Sequence, residues 1–267
     1  MKRILTSVLA LSLLPGAWAA EHASGEVAAV KPAPTEILKG LEEGNARFAE
    51  GKATGSHRDP ERIALAAASD QANFAVATVL SCADSRVPVE LLFDAGIMDL
   101  FVVRVAGNVA DVDEVGTIEY GLAHVRTPVL IVLGHSGCGA VKAVNQAAHG
   151  EGHALEKNIP PLVDNIGPAV ERAIAAHPDA KESEIVSFEV EENVWQAIHD
   201  VFLHSAAVRE MAAANTVQVV GAIYDLATGK VQWLDAKKPL EILAQVNEDP
   251  AREMDVLAAG TAEHEKK

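Results

Sequence analysis

Residues 74–80 read FAVATVL, and after Ser81 follow Cys82-Ala83-Asp84-Ser85-Arg86. The run is apolar on both faces, which is typical of a strand covered on both sides. Three further runs have the same character, and they lie at residues 100–105 (LFVVRV), 129–133 (VLIVL) and 217–224 (VQVVGAIY). These four runs predict the strands of one central sheet.

Helical patterns separate the apolar runs, at residues 89–95, 115–124 and 138–148. Alternation of strands and helices predicts an α/β fold with a mostly parallel central sheet and helices on both faces. A turn signal at residues 227–230 leads into Val231-Gln232-Trp233-Leu234, which predicts an antiparallel strand at the sheet edge. Further helices are expected at 35–48 and 60–69 and over most of 160–215.

The first residues resemble an export signal. Lys2 and Arg3 precede an apolar stretch from residue 4 to 14, and Ala17-Trp18-Ala19 completes the pattern of a signal peptide cleaved after Ala19. The apolar stretch is shorter than the roughly 20 residues that span a bilayer. We therefore expect a periplasmic or secreted protein without a membrane span.

The remainder of the chain is expected to form one domain. Residues 20–34 predict a flexible lead-in, residues 35–260 a single domain, and residues 261–267 a frayed tail. The formal net charge of −16 becomes −18 when Lys2 and Arg3 are removed with the signal peptide. An acidic surface repels phosphate groups, so neither a nucleic acid nor a membrane surface is expected as a partner.

The two cysteines, taken by number alone, suggest a disulfide in an exported protein. Their positions suggest a metal site, because Cys82 follows one predicted strand while His135 and Cys138 follow another. Ligands collect beyond the carboxyl ends of parallel strands, especially where the strand order reverses. If the two strands are neighbours, two thiolates and one imidazole form a zinc site with one open position, as in catalytic zinc sites.

Two motifs carry a resemblance to a known family. The Cys-x-Asp-x-Arg motif at residues 82–86 and the His-x-x-Cys motif at 135–138 resemble those of the β-carbonic anhydrases. The resemblance extends through residues 102–108 (VVRVAGN) and 118–120 (IEY), and covers about residues 35–235.

The resemblance assigns a role to each motif residue. It implies one Zn²⁺ per chain bound by Cys82, His135 and Cys138, with Asp84 and Arg86 as a catalytic dyad. The implied reaction is the reversible hydration of carbon dioxide to bicarbonate and a proton, by a water whose pKa zinc lowers to about 7. Arg86 would keep Asp84 ionised, so that Asp84 can accept a hydrogen bond from the nucleophile. The family also pairs its subunits, which implies a homodimer or a larger even homo-oligomer.

The resemblance leaves the state of the metal site open. In some family members the equivalent of Asp84 binds zinc itself and closes the site. The allosteric subgroup that binds bicarbonate carries a tryptophan three residues before the first ligand, where this chain has Val79. That difference argues against closure driven by bicarbonate.

Three other functions remain as alternatives. An enzyme with the same metal ligands could instead hydrolyse carbon disulfide or carbonyl sulfide. The metal motifs do not separate these substrates, because the difference lies in the access tunnel. Residues 134–138 (GHSGC) approach the Gly-x-Ser-x-Gly motif of serine hydrolases, with Ser136 as nucleophile, but lack its last glycine. An exported binding protein held by a Cys82–Cys138 disulfide is the alternative without catalysis.

Overall fold

The structure is a computed structural model that describes residues 30–152 and 154–258, without the side chains of residues 182 and 183. The expected signal peptide (1–19), most of the lead-in (20–29) and the expected tail (261–267) lie outside the described residues. Within the described ranges, no helix combines the length and apolar character needed to cross a membrane.

A five-stranded sheet with the order β2-β1-β3-β4-β5 forms the centre of the fold. Its strands are β1 (Ala77–Cys82), β2 (Leu100–Val105), β3 (Val129–His135), β4 (Gln218–Tyr224) and β5 (Val231–Trp233). The first four strands pair in parallel, and β5 is antiparallel to β4. The predicted α/β class, the parallel sheet and the antiparallel edge strand are therefore confirmed.

Ten α-helices surround the sheet in the described part of the chain. They are α1 (Pro34–Ala49), α2 (Pro60–Ala68), α3 (Val89–Leu92), α4 (Val112–Glu119), α5 (Gly139–Ala148), α6 (Ile159–Val163), α7 (Gly167–Ala176), α8 (Glu182–His204), α9 (Ala206–Ala213) and α10 (Lys238–Glu248). The predicted helix at 115–124 begins earlier, because Asp111 caps α4 and accepts a hydrogen bond from the Val112 N–H. A π-helical turn, Tyr120–His124, completes it.

The last residues of the expected lead-in contact the folded domain. The Lys31 ammonium donates hydrogen bonds to the carbonyl oxygens of Ala75 and Val125, each at 2.6 Å. Pro34 already belongs to α1. Burial is the main reason that the pKa of Lys31 falls to about 8.

Apolar side chains cover both faces of the sheet, as the strand pattern predicted. Leu80 and Leu130 pack on one face with Ile198 and Phe202 of α8. Val79, the neighbour of Leu80, points to the opposite face and packs with residues of α1 and α3. Full burial of each such side chain contributes about 1.5–3 kcal/mol.

The strand order places one crevice at the carboxyl end of the sheet. Strand β1 lies between β2 and β3, so the chain passes to one side of β1 and then to the other. The order thus reverses between β1 and β3, which is where parallel sheets bind ligands. A third apolar cluster, which includes Cys82, Cys138, Ile166 and Val190, lies here.

Candidate metal centre

Cys82 is the last residue of β1, and its sulfur lies beneath the turn that follows β2. The Gly107 N–H donates a hydrogen bond to the Cys82 Sγ at 3.3 Å. Gly107 has φ 77°, and a Cβ there would lie 2.7 Å from Ile166 Cδ1. Both the positive φ and the lack of space for a Cβ favour glycine at this position. Glycine therefore allows the backbone N–H of residue 107 to approach the Cys82 sulfur closely.

His135 ends β3, and its side chain is fully buried. Its Nδ1 lies 3.1 Å from the Ser136 carbonyl oxygen, which can only accept, so Nδ1 carries the proton. The Nε2 atom therefore has a free lone pair. Nε2 is buried and has no hydrogen-bond partner among the described residues. A buried nitrogen with a free lone pair and no hydrogen-bond partner is suited to bind a metal ion.

Cys138 directly precedes α5, with a non-helical backbone (φ −61°, ψ 123°). The ligand atoms of Cys82, His135 and Cys138 lie within 4.8 Å of one another, and no other group of three His, Cys, Asp or Glu residues does so in the described part of the chain. Both cysteines are free, which is contrary to the disulfide-linked alternative. Two sulfurs and one imidazole nitrogen fit tetrahedral Zn²⁺, whose bonds are about 2.3 Å to sulfur and 2.0–2.1 Å to nitrogen.

The two thiols share a hydrogen bond. A hydrogen bond with Cys138 is the largest cause that lowers the pKa of Cys82, to about 4. The same bond, together with burial, raises the pKa of Cys138. Zn²⁺ binds cysteine as the thiolate, so uptake of a divalent ion should release the protons that the two thiols still hold.

Asp84 and Arg86 lie beside the metal set and form a bidentate ion pair. Arg86 Nη2 donates to Asp84 Oδ2 at 2.6 Å, and Arg86 Nε donates to Asp84 Oδ1 at 2.9 Å. These bonds are the largest cause that holds the pKa of Asp84 well below its usual range. Asp84 Oδ2 is 3.9 Å from His135 Nε2, so an ionised carboxylate adjoins the predicted metal ligands.

Arg104 holds the backbone of this loop in place. Its Nη2 donates to the Asp84 carbonyl oxygen at 2.7 Å, and its Nε donates to the Cys82 carbonyl oxygen at 3.1 Å. The positions of Asp84 and Cys82 are thereby tied to β2.

Ser136 lacks the partner that a serine nucleophile requires. Its Oγ accepts a hydrogen bond from the Leu226 N–H at 2.9 Å. Among the described residues, no hydrogen bond joins the Ser136 hydroxyl to a histidine, which argues against the serine hydrolase alternative.

Comparison with known proteins identifies the family. A family model described as "Carbonic anhydrase" matches residues 77–231. The chain belongs to the carbonic anhydrase family. A carbonic anhydrase of Mycolicibacterium smegmatis is 37% identical over 199 residues, which cover 74% of this chain and 92% of the relative. Carbonic anhydrase 2 of Mycobacterium tuberculosis is 34% identical over 202 residues, which cover 76% and 93%.

Solved carbonic anhydrases of the β class share the fold. The CafA enzyme of Aspergillus fumigatus has a TM-score of 0.61 at 23% identity, covering 83% of this chain and 99% of that chain. A Coccomyxa β-carbonic anhydrase in complex with acetazolamide has a TM-score of 0.55 at 26% identity, covering 74% and 86%.

Two residues next to the metal set were not predicted to have a role. Gly107 lies inside the VVRVAGN stretch, so a glycine two residues after the end of a strand was the available signal. Asn193 lies within α8, and its side-chain Nδ2 donates to the Gly107 carbonyl oxygen at 2.7 Å. A polar residue inside a long helix gives no local signal of such a contact.

Proposed function

We propose that the protein catalyses the reversible hydration of carbon dioxide to bicarbonate and a proton. The observation that carries this proposal is the approach of two sulfurs and one unpartnered imidazole nitrogen to within 4.8 Å. When bound there, Zn²⁺ supplies a Lewis acid that lowers the pKa of water to about 7.

The residues around the metal set have distinct proposed roles. Cys82, His135 and Cys138 would hold the ion, which would supply the Lewis acid for the reaction. Asp84 accepts a hydrogen bond from the attacking water and thereby directs its lone pair towards carbon dioxide. Arg86 keeps Asp84 ionised through the bidentate pair, so the carboxylate remains an acceptor.

The test combines metal analysis with rapid-mixing assays of purified protein on three gases. We expect about one zinc per chain and fast hydration of carbon dioxide. Zinc at that ratio without carbon dioxide hydration, together with turnover of carbon disulfide or carbonyl sulfide, would instead identify a hydrolase of sulfur-containing gases. Acetazolamide, which the Coccomyxa relative binds, is expected to inhibit the hydration.

We propose that the protein is a homodimer or a larger even homo-oligomer. Two solved relatives from Sordaria macrospora are described as tetrameric. One candidate for the contact surface is the ring of Tyr120, which is 51% exposed and whose centroid lies 6.0 Å from that of Phe101 in β2. Light scattering on the eluted protein should give an even multiple of the chain mass, and a monomeric mass would contradict the proposal.

We propose that the protein is exported and that cleavage follows Ala19. The charged, apolar and small-residue order of residues 1–19 supports this. Amino-terminal sequencing of protein recovered from a bacterial periplasm should begin at Ala20. Recovery of cytoplasmic protein that retains Lys2 and Arg3 would contradict it.

A further inference from the structure

Helix α8 carries two buried polar side chains that form hydrogen bonds with segments next to the metal ligands. Asn193 is 2% exposed, and Glu189 is fully buried. The two residues are four positions apart and therefore share one face of the helix. Glu189 accepts a hydrogen bond from Asn145 of α5, the helix that begins directly after Cys138. One face of α8 thus contacts the supports of both cysteines.

Asn193 is connected to the Cys82 sulfur through a single residue. Its Nδ2 donates to the Gly107 carbonyl oxygen at 2.7 Å, and the Gly107 N–H donates to Cys82 Sγ at 3.3 Å. Gly107 has a left-handed backbone conformation (φ 77°), which residues other than glycine rarely adopt. A hydrogen bond at its carbonyl therefore limits the rotation of the residue whose amide points at the sulfur.

We propose that Asn193 is a positioning residue of the metal site, which holds Gly107 so that its N–H stays on the Cys82 sulfur. A hydrogen bond to a metal-bound thiolate fixes the direction of its lone pairs and withdraws some of its electron density. Groups of this kind affect metal affinity about 10–100-fold. The inference rests on the proposed metal set, and it adds a residue from a distant part of the chain to its support.

Asn193→Ala removes the donor, and two measurements follow its effect. We expect zinc affinity, measured by competition with a chromogenic chelator, to fall about 10–100-fold. In protein loaded with Co²⁺, the sulfur-to-cobalt charge-transfer band should move to lower energy, because a thiolate without its hydrogen bond is the stronger electron donor. A general loss of packing would lower the thermal midpoint without moving this band.

Gln196→Ala is the matched control. Gln196 lies three residues further along α8 and is also buried, at 8% exposure, but it bonds to Arg172 and Asp200 instead of the metal turn. Its replacement should leave both the zinc affinity and the cobalt band unchanged. Equal losses of affinity in the two variants would mean that α8 acts by packing alone, and would overturn the proposal.

The remaining outcomes separate this proposal from the metal assignment. Wild-type protein that takes up no zinc would remove the metal set, and the role of Asn193 with it. Normal uptake by wild-type protein, together with unchanged affinity and cobalt band in Asn193→Ala, would overturn the role of Asn193 alone. If Asn193→Ala does not fold, Asn193→Leu keeps a side chain of similar shape without the donor. Failure of both to fold beside a folded Gln196→Ala would assign Asn193 to stability and overturn the proposal.

Discussion

At the scale of single residues, the proposed role of Asp84 can be tested by mutation. Asp84→Ala removes the acceptor beside the metal set but none of the three ligands, so zinc content should stay near one per chain. Carbon dioxide hydration should fall about 100-fold or more, the lower range for a positioned acid or base group. The measurement is rapid-mixing hydration together with zinc analysis of the same sample.

Asp225→Ala is the control for this variant. Asp225 also directly follows a strand, β4, but its carboxylate accepts hydrogen bonds from the turn residues Ala227 and Thr228. Its loss should leave the hydration rate within a few-fold of the wild type. Full activity in Asp84→Ala would remove the proposed role of that carboxylate.

Arg86 should keep Asp84 ionised at low pH. Its guanidinium holds the pKa of Asp84 well below the usual range, so Asp84 stays ionised in the wild type as the pH falls. In Arg86→Ala the pKa of Asp84 should rise, and the carboxylate should become protonated at higher pH than before. A water with a pKa of about 7 sets the acid limb of kcat/KM, so the charge of Asp84 is measured directly, by NMR titration of the carboxylates in metal-free protein. An Asp84 pKa that is the same in the variant and in the wild type would show that Arg86 does not control the charge of Asp84.

At the level of elements, the bounds of the two ligand-bearing strands differ from the prediction. The apolar runs in the sequence ended them at Leu80 and Leu133. In the structure, pairing continues to Cys82, opposite Val105, and to His135, opposite Tyr224. Cys82 and His135 therefore sit on regular strand backbone. The strands extend this far because they pair with residues of neighbouring strands that are distant in sequence, and a local sequence pattern carries no information about such pairing.

The contact between α8 and α5 predicts a pH dependence of stability. Burial is the main reason that the pKa of Glu189 is raised above its ordinary value of 4.5, while Asn145 and His149 act in the opposite direction. Its Oε2 has no hydrogen-bond partner among the described residues. A raised pKa means that the associated stability is complete below the ordinary value and is lost as the pH rises through the raised one.

Glu189→Gln should remove this loss, because the amide keeps an acceptor for Asn145 and never ionises. Its thermal midpoint should exceed that of the wild type at neutral and alkaline pH, and the difference should shrink on acidification. Glu192→Gln is the control, since Glu192 lies on the same helix but is partly exposed and paired with Arg172. A variant that is less stable than the wild type at neutral pH would contradict the account.

At the scale of the whole molecule, the sheet and the metal ligands could be predicted from the sequence more completely than the surrounding helices. Four apolar runs predicted the parallel strands, and the two motifs predicted that Cys82, His135 and Cys138 would meet if β1 and β3 were neighbours, as they are. Helix α10 was not predicted. Neither was Asn193, because its contact with Gly107 joins residues 86 positions apart and depends on how α8 crosses the sheet.

The central claim is that Cys82, His135 and Cys138 hold one Zn²⁺. X-ray absorption at the zinc edge, on protein purified without added metal, measures the ligand types and distances directly. We expect two sulfurs at about 2.3 Å and nitrogen or oxygen ligands at about 2.0–2.1 Å, with the sulfur signal reduced in Cys82→Ser. A spectrum with no sulfur ligands, or metal-free protein whose cysteines are joined in a disulfide, would contradict the account.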